Sequence, residues 1–324
     1  MSTLWLCIES DELTSTQRAA VETLVPDMDV VVTRDLAEVE PVAGDVEIMS
    51  GWIDPEVIAA MPAVRWVQHW AAGVDGLVTR PEVVERDFVL TNGSGIHAVP
   101  ITEHIFAFLL SLARGLPCAV RAQVDHRWIS PPPPCGEHVF ELYNKMMVLI
   151  GVGAIGSRTA EVAKVLGMRV IGVRRNPSDN AIAGVDEMVG PDALLDVLPR
   201  ADVVVLTVPL TDETRGMIGE PELRAMQSSA VLVNIGRGGT VNESALVRAL
   251  QEGWIAGAGL DVFEAEPLPE NSPLWEMENV VVTSHYAGHT PQYTARAMEI
   301  FLDNLRRYRE GRPLRNVVDK ALGY

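Results

Sequence analysis

The sequence predicts an α/β protein made of two doubly wound parallel-sheet domains. Three observations lead there. The chain has 324 residues, enough for two domains that each bury a core. Short apolar runs alternate with helical stretches along most of its length, the pattern of a parallel sheet with helices on its faces. In the second half, a strand-like run meets three spaced glycines and then a helical stretch, in "VLIGVGAIGSRTAEVAKVLGMRVIGVRRNP", residues 148–177, as in a Rossmann dinucleotide-binding unit.

Taken in order, residues 1–97 carry the runs "LWLCI", "DVVV", "VEIM", "VRWVQ" and "FVL", separated by helical or turn-like stretches such as "STQRAAVETL" and "DPEVIAAM". They predict a flavodoxin-like parallel sheet with no phosphate loop in it. Residues 99–123 have apolar positions at helical spacing and predict one long buried helix passing between the domains. Four consecutive prolines follow in "ISPPPPCGEHVFELYNK"; they forbid helix and central strand and favour a stiff extended linker. From Met146 to Thr283 the strand candidates are "MMVLI", "MRVIGV", "DVVVLTV", "AVLVNI", "GAGLDVF" and "NVVVTS", apolar enough to be buried on both faces. Thr290–Tyr308 predicts a terminal helix with Thr290 as N-cap and Pro291 at its first position. The expected organisation is a substrate domain of residues 1–97 and 287–324, with a dinucleotide-binding Rossmann domain of residues 98–286 inserted into it.

Composition narrows the function. With 48% apolar and 22% charged residues the chain is globular, and its net charge of −18 repels nucleic acid and anionic membranes. No apolar run approaches the roughly 20 residues that span a bilayer, and the N-terminus has no basic region, so a cytoplasmic protein is expected. Cys7, Cys118 and Cys135 are odd in number and lack C-x-x-C spacing; they are expected to be incidental thiols, with no metal site.

Gly151, Gly153 and Gly156 have distinct tasks in the loop "GVGAIG". The first permits the tight turn, the second lets a pyrophosphate approach the backbone, and the third lets helix pack on strand. Ala154 and Ile155 complete the loop at the start of the helix, where N–H groups and the helix dipole face an anion. After the second strand, NAD-binding chains usually place an acid that accepts from the ribose hydroxyls and repels a 2′-phosphate. Here Arg174 and Arg175 stand instead, and a guanidinium is a planar, permanently charged phosphate ligand. NADP(H) is therefore the expected cofactor, with NAD(H) possible.

Three polar residues follow three later strands: Arg237 in "NIGRGG", Glu266 in "DVFEAEPLPE" and His285 in "SHYAGHT". Ligands of doubly wound sheets bind outside the carboxyl ends of the strands, so all three are expected to converge on the nicotinamide. Arg237 can clamp a carboxylate bidentately and polarise the adjacent carbonyl. His285 can protonate that carbonyl oxygen as hydride arrives, and take the proton back in reverse. Glu266, bonded to the imidazole, would favour its charged form and fix its orientation.

"GVGAIG", "NIGRGG", "LDVFEAEPLP" and "SHYAGHT", in this order, resemble the signature set of the D-isomer-specific 2-hydroxyacid dehydrogenases, with "WAAGVDGL" similar to the substrate-carboxylate loop and "PITEHIFAFLLSLARGLP" to the interdomain helix of that family. The resemblance implies an oxidoreductase transferring hydride between NADPH and a 2-oxo acid to give the D-2-hydroxy acid, of the glyoxylate/hydroxypyruvate reductase kind. It implies an Arg237, Glu266 and His285 catalytic set, and substrate contacts from Ala72, Gly73 and Val74 with the bulk of Trp70 nearby. It also implies cofactor contacts from Thr102, Val208, Pro209, Thr214, Ile235, Gly236, Asp261 and Gly288, a cleft that closes by hinge motion, and a homodimer. Two alternatives within the family are a dinucleotide-sensing corepressor and a formate or phosphonate dehydrogenase; formate enzymes carry Gln beside the histidine, so Glu266 disfavours that reaction. Trp52, His69 and Tyr286 add bulk whose role the spacing does not define.

Overall fold

The computed structural model describes residues 2–129, 139–177 and 181–323. The chain forms two compact units, Met1–Ile96 with Thr290–Tyr324, and His97–His289. In the first, strands β1 (Thr3–Cys7), β2 (Asp29–Val32), β3 (Val46–Gly51), β4 (Trp66–His69) and β5 (Val89–Thr91) lie in the order β2-β1-β3-β4-β5, every neighbouring pair parallel. Alternate residues of β1 enter opposite cores: Leu4 and Leu6 pack with Ile48, Trp66 and Phe301, while Trp5 packs with Met49, Val67 and Leu90. Burial on both faces explains why these strands are apolar without alternation.

The second unit holds seven strands: β6 (Met146–Ile150), β7 (Arg169–Val173), β8 (Glu187–Val189), β9 (Val203–Leu206), β10 (Val231–Asn234), β11 (Gly257–Leu260) and β12 (Val280–Val282). Their order is β12-β11-β10-β9-β6-β7-β8, again parallel throughout. Here too Val148 and Ile150 enter one core and Met147 and Leu149 the other. The order reverses direction at β6 and β9, the switch point at which doubly wound sheets bind ligands.

Four local expectations need correction. The segment 99–123 is two helices, Ala98–Ala113 and Leu116–Val124, bent by 72°. Gly115 sits between them at φ 64°, a left-handed conformation that glycine adopts without steric cost, and Pro117 opens the second helix. The terminal helix begins at Tyr293 with Gln292 as its cap residue; the Thr290 hydroxyl accepts from Gln292 N at 3.2 Å, in the turn before it. Strand β8 was not anticipated, because a three-residue edge strand carries too little apolar pattern. Finally, Cys118 is disulfide-bonded and only Cys7 is a free, buried thiol among the described residues. The four prolines and Cys135 lie outside the described residues. No single described helix is long and apolar enough to cross a membrane.

Candidate active site

The glycine loop is shaped by close approaches. Gly151 has φ 95°, and a Cβ there would lie 2.8 Å from Val208 Cγ1 and 2.9 Å from Thr207 Oγ1. At Gly156 a Cβ would lie 2.2 Å from Gly151 O, so the helix Ala154–Val165 can sit on the loop only with glycine at that point. Gly153 differs: a Cβ there would meet nothing within 4 Å. The first and third glycines are therefore required by the fold, and the second faces open space beside a helix N-terminus where an anion can approach the backbone. These residues fit a dinucleotide pyrophosphate.

Beyond β7, the two arginines part company. Arg175 forms an ion pair with Glu213. Arg174 is exposed, its backbone N–H donates to Val189 O at 3.0 Å, and its guanidinium makes no hydrogen bond or ion pair among the described residues. In a protein of net charge −18 an unneutralised guanidinium at the end of the second Rossmann strand is available to an anionic ligand.

The loop after β9 braces its neighbours. Thr207 donates to Gly151 O at 2.7 Å, Val208 backbone backs both Gly151 and Gly236, and Thr214 donates to Pro209 O at 2.7 Å. Ile235 is buried and Gly236 N donates to Asn234 Oδ1 at 3.1 Å. A Cβ at Gly288 would lie 2.8 Å from the His97 ring. Thr102 is buried at 2% exposure with its hydroxyl 3.2 Å from that of Thr159, a contact that ties two helices together.

Arg237, Glu266 and His285 line one open cavity of about 720 Å³ at the carboxyl ends of β10, β11 and β12. Arg237 is held by its backbone, whose carbonyl accepts from Asn234 Nδ2 at 3.2 Å and Thr240 Oγ1 at 2.7 Å, while its Nη1 donates to Gly236 O at 2.8 Å. Gly238 must be glycine, since a Cβ would lie 1.9 Å from the Phe263 carbonyl carbon. Glu266 accepts from Phe263 N at 3.0 Å with Oε1, and its Oε2 is 2.7 Å from His285 Nδ1. An ionised carboxylate can only accept, so Nδ1 carries the proton and Nε2 is left as the site that loads and unloads. The side chains of His285 and Glu266 are 48% and 35% exposed, so Nε2 is within reach of a small ligand.

His285 has φ 53°, a left-handed backbone costing a side-chain-bearing residue about 1–2 kcal/mol. Asp261, 1% exposed, holds it: its carbonyl accepts from His285 N at 2.9 Å, Oδ1 accepts from Thr283 Oγ1 at 2.5 Å and Tyr286 N at 3.1 Å, and Oδ2 from Ala287 N at 3.0 Å. Asp261, expected near the nicotinamide, is thus a buried carboxylate whose hydrogen bonds hold the histidine loop. Asn234, Thr207 and Thr283, none singled out from the sequence, act in the same way; a polar residue ending or following an apolar strand was the available signal.

In the other unit, Asn92 Nδ2 donates to Ala72 O and Gly93 N to Ala71 O, both at 2.8 Å, which fixes the loop running to Gly73 and Val74. Trp70, expected near the substrate loop, is 1% exposed, its indole donates to Ser50 Oγ at 2.9 Å, and it packs in the core. Trp52 is half exposed and stacks on Tyr293 at 5.4 Å, and burial pushes the His69 imidazole down to about 4, so the ring is neutral at physiological pH. Tyr286 stands exposed beside His285.

Residues 106–287 match the family described as D-isomer specific 2-hydroxyacid dehydrogenase, NAD binding domain. The chain is 36% identical over 280 residues to a glyoxylate reductase of Korarchaeum cryptofilum, covering 86% of this chain and 82% of the relative. It is 35% identical over 289 residues to a glyoxylate reductase of Aeropyrum pernix, covering 85% and 82%. Among solved structures it resembles a D-isomer specific 2-hydroxyacid dehydrogenase of Xanthobacter autotrophicus in complex with NADPH, with 30% identity, full coverage of both chains and a TM-score of 0.80. An NADPH-dependent glyoxylate/hydroxypyruvate reductase of Sinorhizobium meliloti, in complex with NADP, gives 28% identity, full coverage of both and a TM-score of 0.81.

Proposed function

This chain belongs to the D-isomer specific 2-hydroxyacid dehydrogenase family, and from that premise we propose that it reduces a small 2-oxo acid of the glyoxylate or hydroxypyruvate kind, with NADPH preferred over NADH. The reaction class, hydride transfer between a nicotinamide cofactor and a 2-oxo/2-hydroxy acid pair, is that of the family; the cofactor preference and the substrate are our reading. The observation that carries it is the single cavity lined by a guanidinium, an imidazole and the carboxylate that orients that imidazole. NADPH complexes and glyoxylate reductases among the relatives support the finer points.

When bound, the nicotinamide supplies the hydride. Arg237 binds the substrate carboxylate through two parallel charge-assisted hydrogen bonds and turns the adjacent carbonyl into one orientation. His285, loaded at Nε2, gives its proton to the carbonyl oxygen; a C–H and an O–H bond form as the C=O π bond is lost. Glu266 fixes the ring plane through Nδ1 and stabilises the positive charge that the loaded imidazole carries. In the direction of oxidation His285 takes the hydroxyl proton. Arg174 meets the 2′-phosphate, and Gly153 with the helix behind it meets the pyrophosphate.

The deciding experiment is NADPH oxidation against a panel from glyoxylate and hydroxypyruvate to branched and aromatic 2-oxo acids. Turnover of the two smallest acids at the highest kcat/KM is expected, and a marked preference for bulky acids would reject the substrate assignment. We further propose a homodimer, supported by the apolar residues Leu116, Val120, Val124 and Trp128, which recur every fourth position and are 48% to 95% exposed.

A further inference from the structure

The structure assigns His104 as a positioning residue for His285, acting through Thr283 and Asp261; the assignment rests on the reading of His285 as the acid and base of the reaction. His104 lies in the helix Ala98–Ala113, its ring edge-on to Phe108 at 4.6 Å and to Tyr286 at 5.5 Å. Its Nε2 is 3.0 Å from Thr283 Oγ1.

The protons of this chain of contacts can be placed by elimination. The Thr283 hydroxyl has one proton, and it lies 2.5 Å from Asp261 Oδ1. An ionised carboxylate has no proton to give, so the hydroxyl donates to it and turns a lone pair toward His104. The hydrogen on the 3.0 Å contact must then sit on His104 Nε2. Burial disfavours the charged imidazole, with the nearby Asp261 carboxylate pulling the other way, and the ring is the neutral Nε2–H tautomer.

What the relay holds is the histidine loop. Asp261 takes the hydroxyl of Thr283 and the N–H groups of Tyr286 and Ala287 on its carboxylate, and that of His285 on its carbonyl. His285 stands among these four attachments with a left-handed backbone. His104 fixes the rotamer of the Thr283 hydroxyl from the far side, and the hydroxyl is the shortest of the carboxylate's contacts. Without the Nε2 donor the hydroxyl is free to turn among its staggered wells, and the shortest of the carboxylate's three contacts is no longer held in place. The loss appears as a displaced imidazole, and a displacement of about 1 Å at a reacting group is able to cost on the order of a hundredfold in rate.

The test compares His104→Phe, which keeps a flat ring but has no donor, with His104→Gln, whose amide nitrogen occupies nearly the place of Nε2. The Phe variant should lose about tenfold to a hundredfold in kcat with KM for the 2-oxo acid within about threefold of wild type. The Gln variant should recover to within about threefold. Thr283→Val should lose as much as His104→Phe, and the two together little more than either, because they break one chain of contacts. Wild-type kcat in the Phe variant, a Gln variant as impaired as Phe, or losses that multiply would each overturn the assignment. Nitrogen spectra of histidine-labelled holoenzyme decide independently of turnover: the relay requires hydrogen on Nε2 of His104, and a signal for hydrogen on Nδ1 would refute it even if the panel of 2-oxo acids showed no reaction.

Discussion

Arg174 and Arg175 are adjacent in sequence and equal in charge, yet their surroundings give them different work. Arg175 is neutralised by Glu213, whereas Arg174 has no counter-ion among the described residues. Arg174→Asp is expected to lower the ratio of kcat/KM for NADPH over NADH by about tenfold to a hundredfold, because a charge-assisted contact contributes about 1.5–3 kcal/mol. Arg175→Ala should move the ratio by less than about threefold, as an exposed pair of this kind contributes only about 0–1 kcal/mol. An unchanged ratio in the Arg174 variant, measured with the same 2-oxo acid, rejects the cofactor preference. His285→Ala should lower kcat by roughly 10²–10⁴ while the dissociation constant for NADPH, read by fluorescence, stays within about threefold. Full activity would remove His285 from the mechanism. These residues drew attention in the sequence because each stands within three residues of the end of an apolar strand, where a doubly wound sheet presents its ligand site. The pairing of Arg175 was not legible, since Glu213 is 38 residues away and meets it only through the loop after β9.

Among the elements, strands buried on both faces were readable as unbroken apolar runs, and the glycine turn between β6 and its helix by spacing alone. Failures fell where one residue overrides periodicity. Gly115 breaks a helical pattern whose apolar spacing continues on both sides, and β8 is too short to have a pattern. The break at Gly115 has a consequence, for it directs the helix Leu116–Val124 so that Val120 and Val124 stand exposed at 57% and 76%, followed by Trp128 at 95%. A monomer gains nothing from an aromatic residue left almost wholly in water, and aromatic anchors of this sort concentrate binding energy in protein interfaces. The double variant Val124→Asp, Trp128→Asp is therefore expected to convert a dimer into a monomer in light scattering at micromolar concentration. A wild-type protein that scatters as a monomer, or a variant that remains dimeric, would reject this face as the contact.

For the molecule as a whole, the division into units makes cofactor binding testable without any substrate. The cofactor ligands proposed above, the glycine loop and Arg174, belong to the unit His97–His289, as does the cavity of Arg237 and His285. A ligand that binds only the folded state stabilises it by about 2.7 kcal/mol at a hundred times its dissociation constant. Hydrogen exchange resolves where that free energy appears, because amides of central strands open only when their own cooperative unit opens. Saturating NADPH should slow exchange in β6, β9 and β10 by close to a hundredfold, matching the mass-action factor. The central strands β1 and β3 of the other unit should change by less than about threefold. Equal protection of both sheets would contradict the placement of the cofactor on one unit, and no protection of β6 and β9 would contradict the glycine loop as its seat. The choice of strands follows from the topology: β6 and β9 flank the point where the strand order reverses, so a ligand there braces the centre of the sheet rather than its edge.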